Sequence, residues 1–256
     1  MRMLVSCRYR GDVELLQAIR KEKTLVEEQK RVEILRNRSR MRMKMLANAV
    51  RVSEGMLPTV SVSMERIKGR VDVGKPLEAF VFADGEINAF VSETASRFIV
   101  GLSSGAITTL TSDELEFVIG HELGHALFGH TEVAAGFLAE NERVSSDHSK
   151  LLRAWQRAAE ISADRVGLLC CNEIEVAATA LIKTLAGLSL GGARLKPSEI
   201  TQQWESLLEE VMDEGATDLW EHSHPFPPLR IKALEAFWRD HSAGALLTAI
   251  RISGAF

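Results

Sequence analysis

Thr111-Ser112-Asp113-Glu114-Leu115-Glu116-Phe117-Val118-Ile119-Gly120-His121-Glu122-Leu123-Gly124-His125 begins with a helix start signal and ends on two histidines four residues apart. Thr111 at the N-cap and Glu114 three positions later fit a capping box, in which each side chain satisfies the other's backbone N–H. Acidic residues in the first turn suit the helix dipole. Leu115, Val118, Ile119, Leu123 and Leu127 continue a helical apolar period, which predicts a helix from Thr111 to about His130. On that helix His121 and His125 differ by about 40° around the axis and about 6 Å along it. Both imidazoles can therefore converge on one metal ion. Glu122 sits at the edge of the same face, where a carboxylate can deprotonate a metal-bound water.

Catalytic zinc sites usually hold the ion with three protein groups and leave a fourth position open. His130 lies five residues past His125, about 140° further round an ideal helix, and so points away from a shared metal. It reads as a packing or capping histidine. Phe128 and Thr131 stand where the long metzincin signature needs Gly and His. His148 falls in the polar stretch 141–149, read as a loop. The better candidates are Glu160 and Asp164, four residues apart on a helix expected over about 150–171. One can ligate while the other accepts a hydrogen bond from a ligand imidazole. Their neighbours Ala158, Ala159, Ile161, Ala163 and Val166 make that helix largely apolar, so the carboxylates need a partner.

At 256 residues the chain can bury a full core, and its 46% hydrophobic and 26% charged residues are ordinary for a globular protein. The net charge of −4 predicts no bulk attraction to nucleic acid. No run reaches the roughly 18 apolar residues of a membrane span. Residues 1–9 lack the apolar core of a secretory signal. Cys7, Cys170 and Cys171 make no disulfide framework, so a reduced, cytoplasmic protein is the simplest expectation.

Residues 1–55 read as a basic helical arm and 56–256 as the domain that carries the chemistry. Within 20–51 there are eleven Lys/Arg and four Glu, a local charge of +7. Such a stretch fits a peripheral contact with an anionic membrane or a protein partner. A solvated helix face packed through its apolar stripe (Leu15, Ile19, Val26, Leu35, Leu46, Ala49) is the commoner arrangement. Pro58 to Met64 alternates apolar and polar residues and reads as a strand. Glu78–Ala83 and Ile87–Val91 flank Asp84-Gly85, a hairpin signal, and Arg97–Gly101 reads as a further strand. A small antiparallel sheet over 58–101 follows. Further helices are expected near 173–190, 198–213 and 228–240.

Taken in order, Asn88-Ala89-Phe90, Ile99-Val100-Gly101-Leu102, Leu110 to Leu115, the H-E-x-x-H of 121–125, E-x-x-x-D at 160–164 and Ser223-His224-Pro225 with Pro228, Arg230 and Ile231 resemble the gluzincin metallopeptidases. The HtpX and CAAX prenyl endopeptidase family is the particular resemblance. It spans about residues 80–235. The resemblance implies an α+β, mainly helical zincin-like fold and one Zn2+ per chain held by His121, His125 and Glu160. By the same resemblance Glu122 polarises the attacking water and passes its proton to the leaving amine, and Asp164 fixes the tautomer of a ligand histidine. Asn88, Ala89 and Phe90 form an edge strand that pairs with an extended protein or peptide substrate, although Phe90 is equally suited to core packing. His224 stabilises the oxyanion, acts as a fourth ligand that holds the site shut, or is a loop histidine. Arg230 pairs with a buried acid or caps a helix. The transmembrane helices of membrane-embedded members have no counterpart in this sequence. A competing expectation is a non-catalytic or latent zinc-binding module recruited through the basic arm. Nothing in the sequence speaks to oligomeric state.

Overall fold

The computed structural model describes residues 7–35, 40–187 and 227–240, with isolated positions between 196 and 209. Its elements run α1 (Arg10–Lys21), α2 (Lys23–Leu35), α3 (Met41–Asn48), β1 (Val50–Arg51), α4 (Pro58–Arg70), β2 (Leu77–Phe82), β3 (Ala89–Glu93) and β4 (Phe98–Ser103). There follow α5 (Ser104–Thr109), α6 (Ser112–Leu127), α7 (Ala135–Ala139), α8 (Ser146–Cys171), α9 (Ile174–Ala186) and α10 (Pro227–Arg239). This is an α+β architecture, mainly helical, with one small sheet. The helix expected at 198–213 falls largely outside the described residues.

Two strand expectations are corrected. Residues 58–64 are the start of helix α4, not a strand, with Pro58 in its first turn. Val60, Ser63, Met64 and Ile67 are its buried positions, a helical spacing that the two valines flanking Ser61 concealed. Proline in the first turn, where its missing N–H costs nothing, is the local signal for a helix start here. The sheet is also mixed rather than antiparallel, in the order β1-β2-β4-β3. Asp84-Gly85 does not close a hairpin: β4 lies between β2 and β3, parallel to the first and antiparallel to the second. All six residues of β4 are buried. The most buried strand takes an interior place between two neighbours, and that gain outweighs a local turn preference. The 84–88 segment instead docks on the junction of β4 and α5. There Ser103 Oγ accepts from Asn88 N (2.9 Å) and donates to Glu86 O (2.6 Å).

Helix α6 begins with the expected capping box, both of its hydrogen bonds being present around Thr111 and Glu114. Buried Lys183 of α9 donates to Glu114 (2.8 Å), which accounts for a buried lysine in a largely apolar helix. Against α8, α6 presents glycines. A Cβ at Gly124 would lie 2.8 Å from the Cα of Ala163, and one at Gly120 would lie 3.0 Å from the Cα of Gly167. Small residues on both helices therefore let the two backbones touch. We expect Gly124→Val to force them apart at a cost of about 1–3 kcal/mol, read as a lower urea midpoint. Among the described residues, no helix is long and apolar enough to cross a membrane.

Candidate active site

The α6–α8 contact sets the distance between His121 and His125 on one helix and Glu160 on the other. The Nε2 atoms of the two histidines lie 3.1 Å apart. Glu160 Oε2 is 3.5 Å from His121 Nε2, and its Oε1 is 3.5 Å from His125 Nε2. Tetrahedral coordination with bonds of about 2.0–2.1 Å separates neighbouring donors by roughly 3.3 Å. Two imidazoles and a carboxylate at these spacings fit a single divalent ion, and the three residues could hold one. The electrostatics agree. Burial favours a neutral His125, but the hydrogen bond and charge of Glu160, with the charge of Glu122, more than reverse this and raise its pKa. Surroundings that favour a proton on this ring also favour a metal cation, since both compete for the same lone pair.

Asp164 sits one turn beyond Glu160. Its Oδ1 is 2.9 Å from His121 Nδ1, the ring nitrogen turned away from the donor cluster. Arg230 of α10 grips the same carboxylate with Nε (2.7 Å) and Nη2 (2.6 Å) and reaches Glu160 Oε2 at 3.2 Å. Of the two roles open to Arg230, pairing with buried acids is the one it takes. Burial would raise the Asp164 carboxyl, but Arg230 and the hydrogen bond from His121 outweigh it and hold the group below its ordinary pKa. Asp164 is therefore a fixed anion, and it secures the Nδ1–H tautomer of His121.

Glu122 lines the same cleft as the donor cluster. Its pKa is raised, chiefly by loss of hydration and further by Glu160, against the opposing charges of His121, His125 and Arg230. That makes it a stronger base than a solvated glutamate. The cleft has a volume of about 480 Å³ and is walled by Ile87, Asn88 and Ala89 on one side and Leu181, Leu185 and Pro227 on another. Among the described residues strand β3 ends the sheet, paired with β4. Phe90 does not share the cleft. Its side chain packs against Phe82 (ring centroids 5.7 Å) and covers Gly101, directly opposite in β4.

His130 departs from its expected place. α6 stops at Leu127, and Gly129 in the left-handed conformation (φ 73°) turns the chain back. The His130 ring returns to the helix with Nδ1 3.0 Å from His125 Nδ1. Its Nε2 lies 3.0 Å from Asp12 Oδ2 of α1. Asp12 was not legible as a site residue. Arg8 four positions before it was the one local hint, and an i,i+4 ion pair is too common to single it out. His148 is remote from the cluster and meets Glu22 Oε2 at 3.3 Å. His224 lies outside the described residues.

Convergent donors with a separate carboxylate beside them, lining one cleft, are a set that could hold a metal ion and take a proton from water bound to it. A sequence model of Peptidase family M48 matches residues 58–141 and 135–237. The chain belongs to that family. It is 27% identical over 168 residues to the plastoglobule-localized metallopeptidase 48 of the Arabidopsis thaliana chloroplast, covering 59% of this chain and 48% of that one. The chain thus spans about half the length of the curated relative it matches. The crystal structure of S. mikatae Ste24p is similar at 16% identity with a TM-score of 0.39, over 67% of this chain and 49% of that one.

Proposed function

We propose that this chain is a zinc-dependent endopeptidase with His121, His125 and Glu160 as ligands and Glu122 as general base. The observation that carries the reading is the convergence of three donor side chains, with the two histidine Nε2 atoms 3.1 Å apart and each 3.5 Å from one oxygen of Glu160, next to a carboxylate of raised proton affinity. Two imidazoles and one carboxylate are a donor set suited to zinc. A bound zinc ion supplies Lewis acidity, polarising a scissile carbonyl and lowering the pKa of water toward about 7. Glu122 takes the proton of the attacking water and delivers it to the leaving amine. Asp164 holds the His121 ring in orientation, with Arg230 keeping that carboxylate charged and still. The outer edge of β3 faces an extended protein or peptide substrate at Ala89; Asn88 lines the cleft beside it with its own backbone N–H and C=O engaged by Ser103, and Phe90 stiffens the strand from its other face.

Among the described residues, none of those between 7 and 51 lines the cleft, which speaks against occlusion by this part of the chain. The basic stretch 20–51 remains suited to a membrane surface or protein partner. Cys7, Cys170 and Cys171 are buried and none is in a disulfide, which supports a reducing compartment such as the cytoplasm. Metal analysis with a casein or peptide assay tests the core of the reading. We expect about one zinc per chain, activity lost on chelation and restored by zinc, and loss of both metal and activity in Glu160→Gln. Full activity in that variant, or in metal-free protein, overturns the assignment.

A further inference from the structure

We propose that Asp12 and His130 are positioning residues for the metal ligand His125, joined to it as a relay Asp12···His130···His125. The inference rests on the reading of His125 as a ligand through Nε2, the nitrogen that faces His121 Nε2 at 3.1 Å. An imidazole bound through one nitrogen carries its proton on the other. His125 Nδ1 is then a donor. The group 3.0 Å from it is His130 Nδ1, which must accept. The His130 proton therefore sits on Nε2, where it is donated to Asp12 Oδ2 at 3.0 Å. One carboxylate decides the tautomers of two rings in series.

Asp12 is built to be immobile. It is fully buried, and besides His130 it accepts from Trp155 Nε1 (2.9 Å), Ser162 Oγ (2.8 Å) and Arg8 Nε (2.7 Å) and Nη2 (3.0 Å). His130 is 5% exposed and edge-on to Trp155, with ring centroids 5.7 Å apart. Gln29 of α2 fastens the following turn from outside, accepting from Ala134 N (2.9 Å) and donating to Glu132 O. The two ligand imidazoles are thus anchored in parallel ways. His121 has its own carboxylate, Asp164, while His125 borrows one through a second ring, His130, from Asp12, which lies 118 positions before that ring. Asp12 precedes the region matched to the family, residues 58–237, so the N-terminal helix contributes to the site. A ring that only filled space next to His125 would have no need of a buried carboxylate, five donors and a fixed tautomer.

Two substitutions divide the relay. Asn at 130 places its carbonyl oxygen near the former Nδ1, keeping an acceptor for His125 without needing Asp12. Gln places its amide near the former Nε2, keeping the link to Asp12 and leaving His125 without an acceptor. Zinc affinity of metal-stripped protein, measured by chelator competition, and the visible spectrum of the cobalt(II) form report the ligand geometry apart from turnover. We expect H130Q to weaken zinc binding about 10–100-fold and to shift the cobalt spectrum, and H130N to stay within a few-fold of wild type. D12N should weaken binding in the wild-type background and have little effect in the H130N background. If H130Q does not fold, the D12N pair carries the same test. Wild-type affinity in H130Q, tighter binding in H130Q than in H130N, or equal effects of D12N in both backgrounds overturns the relay. Wild-type protein that takes up no zinc overturns the metal-site reading itself, and the relay with it.

Discussion

Glu122→Gln is expected to reduce kcat by about 10²–10⁴-fold, the range that a positioned general base supplies, with zinc content unchanged. The amide matches the carboxylate in shape and cannot take a proton from water. Because Glu122 is not one of the three donor residues, the metal has no reason to leave. Its raised proton affinity comes mainly from lost hydration in the cleft. The site thus keeps ready a base that solvent would weaken. Steady-state kinetics on a quenched peptide, paired with metal analysis of the same sample, checks both halves. A variant with wild-type kcat removes Glu122 from the chemistry, and one that has lost its zinc makes the residue structural instead.

The second large effect concerns stability. Arg230→Met should cost about 3–5 kcal/mol in metal-free protein, the usual result of deleting one partner from a buried ion cluster. Asp164 (1% exposed) and Glu160 (9% exposed) would be left facing each other without the guanidinium that bonds one twice and contacts the other. Loss of positive charge and hydrogen bonds, not of volume, sets the penalty, since methionine fills a similar space. Zinc should offset part of it, because the ion would compensate Glu160 directly. Urea unfolding of the variant with and without zinc gives the measurement. A loss below about 1 kcal/mol, the scale of an exposed pair, would show that the cluster is not held as described.

Local regularity made part of the site legible beforehand. Residues 121 and 125 share a helix face because four residues are nearly one turn, and the same arithmetic applies to 160 and 164. The capping box of Thr111 and Glu114 uses neighbours only, and it stands as expected. Where the expectation failed, a distant contact overruled a local signal. Asp84-Gly85 favoured a hairpin, yet the burial of β4 drew that strand between its neighbours. His130 was projected from an ideal helix, and Gly129 ends that helix one turn early in a conformation few other residues tolerate.

By itself, then, the sequence determined the chemistry available: a turn-spaced histidine pair, a glutamate between them, a second helix with two acids among alanines, and no disulfide framework. Those properties depend on residues within about one helical turn of each other, where backbone geometry alone sets the spacing. The tertiary structure alone decided which groups meet. Gly120 and Gly124 against Ala163 and Gly167 bring Glu160 to the histidines, α10 carries Arg230 onto two carboxylates, and α1 places Asp12 behind His130. Such contacts arise from close packing of surfaces contributed by remote segments, and no periodicity along the chain encodes them.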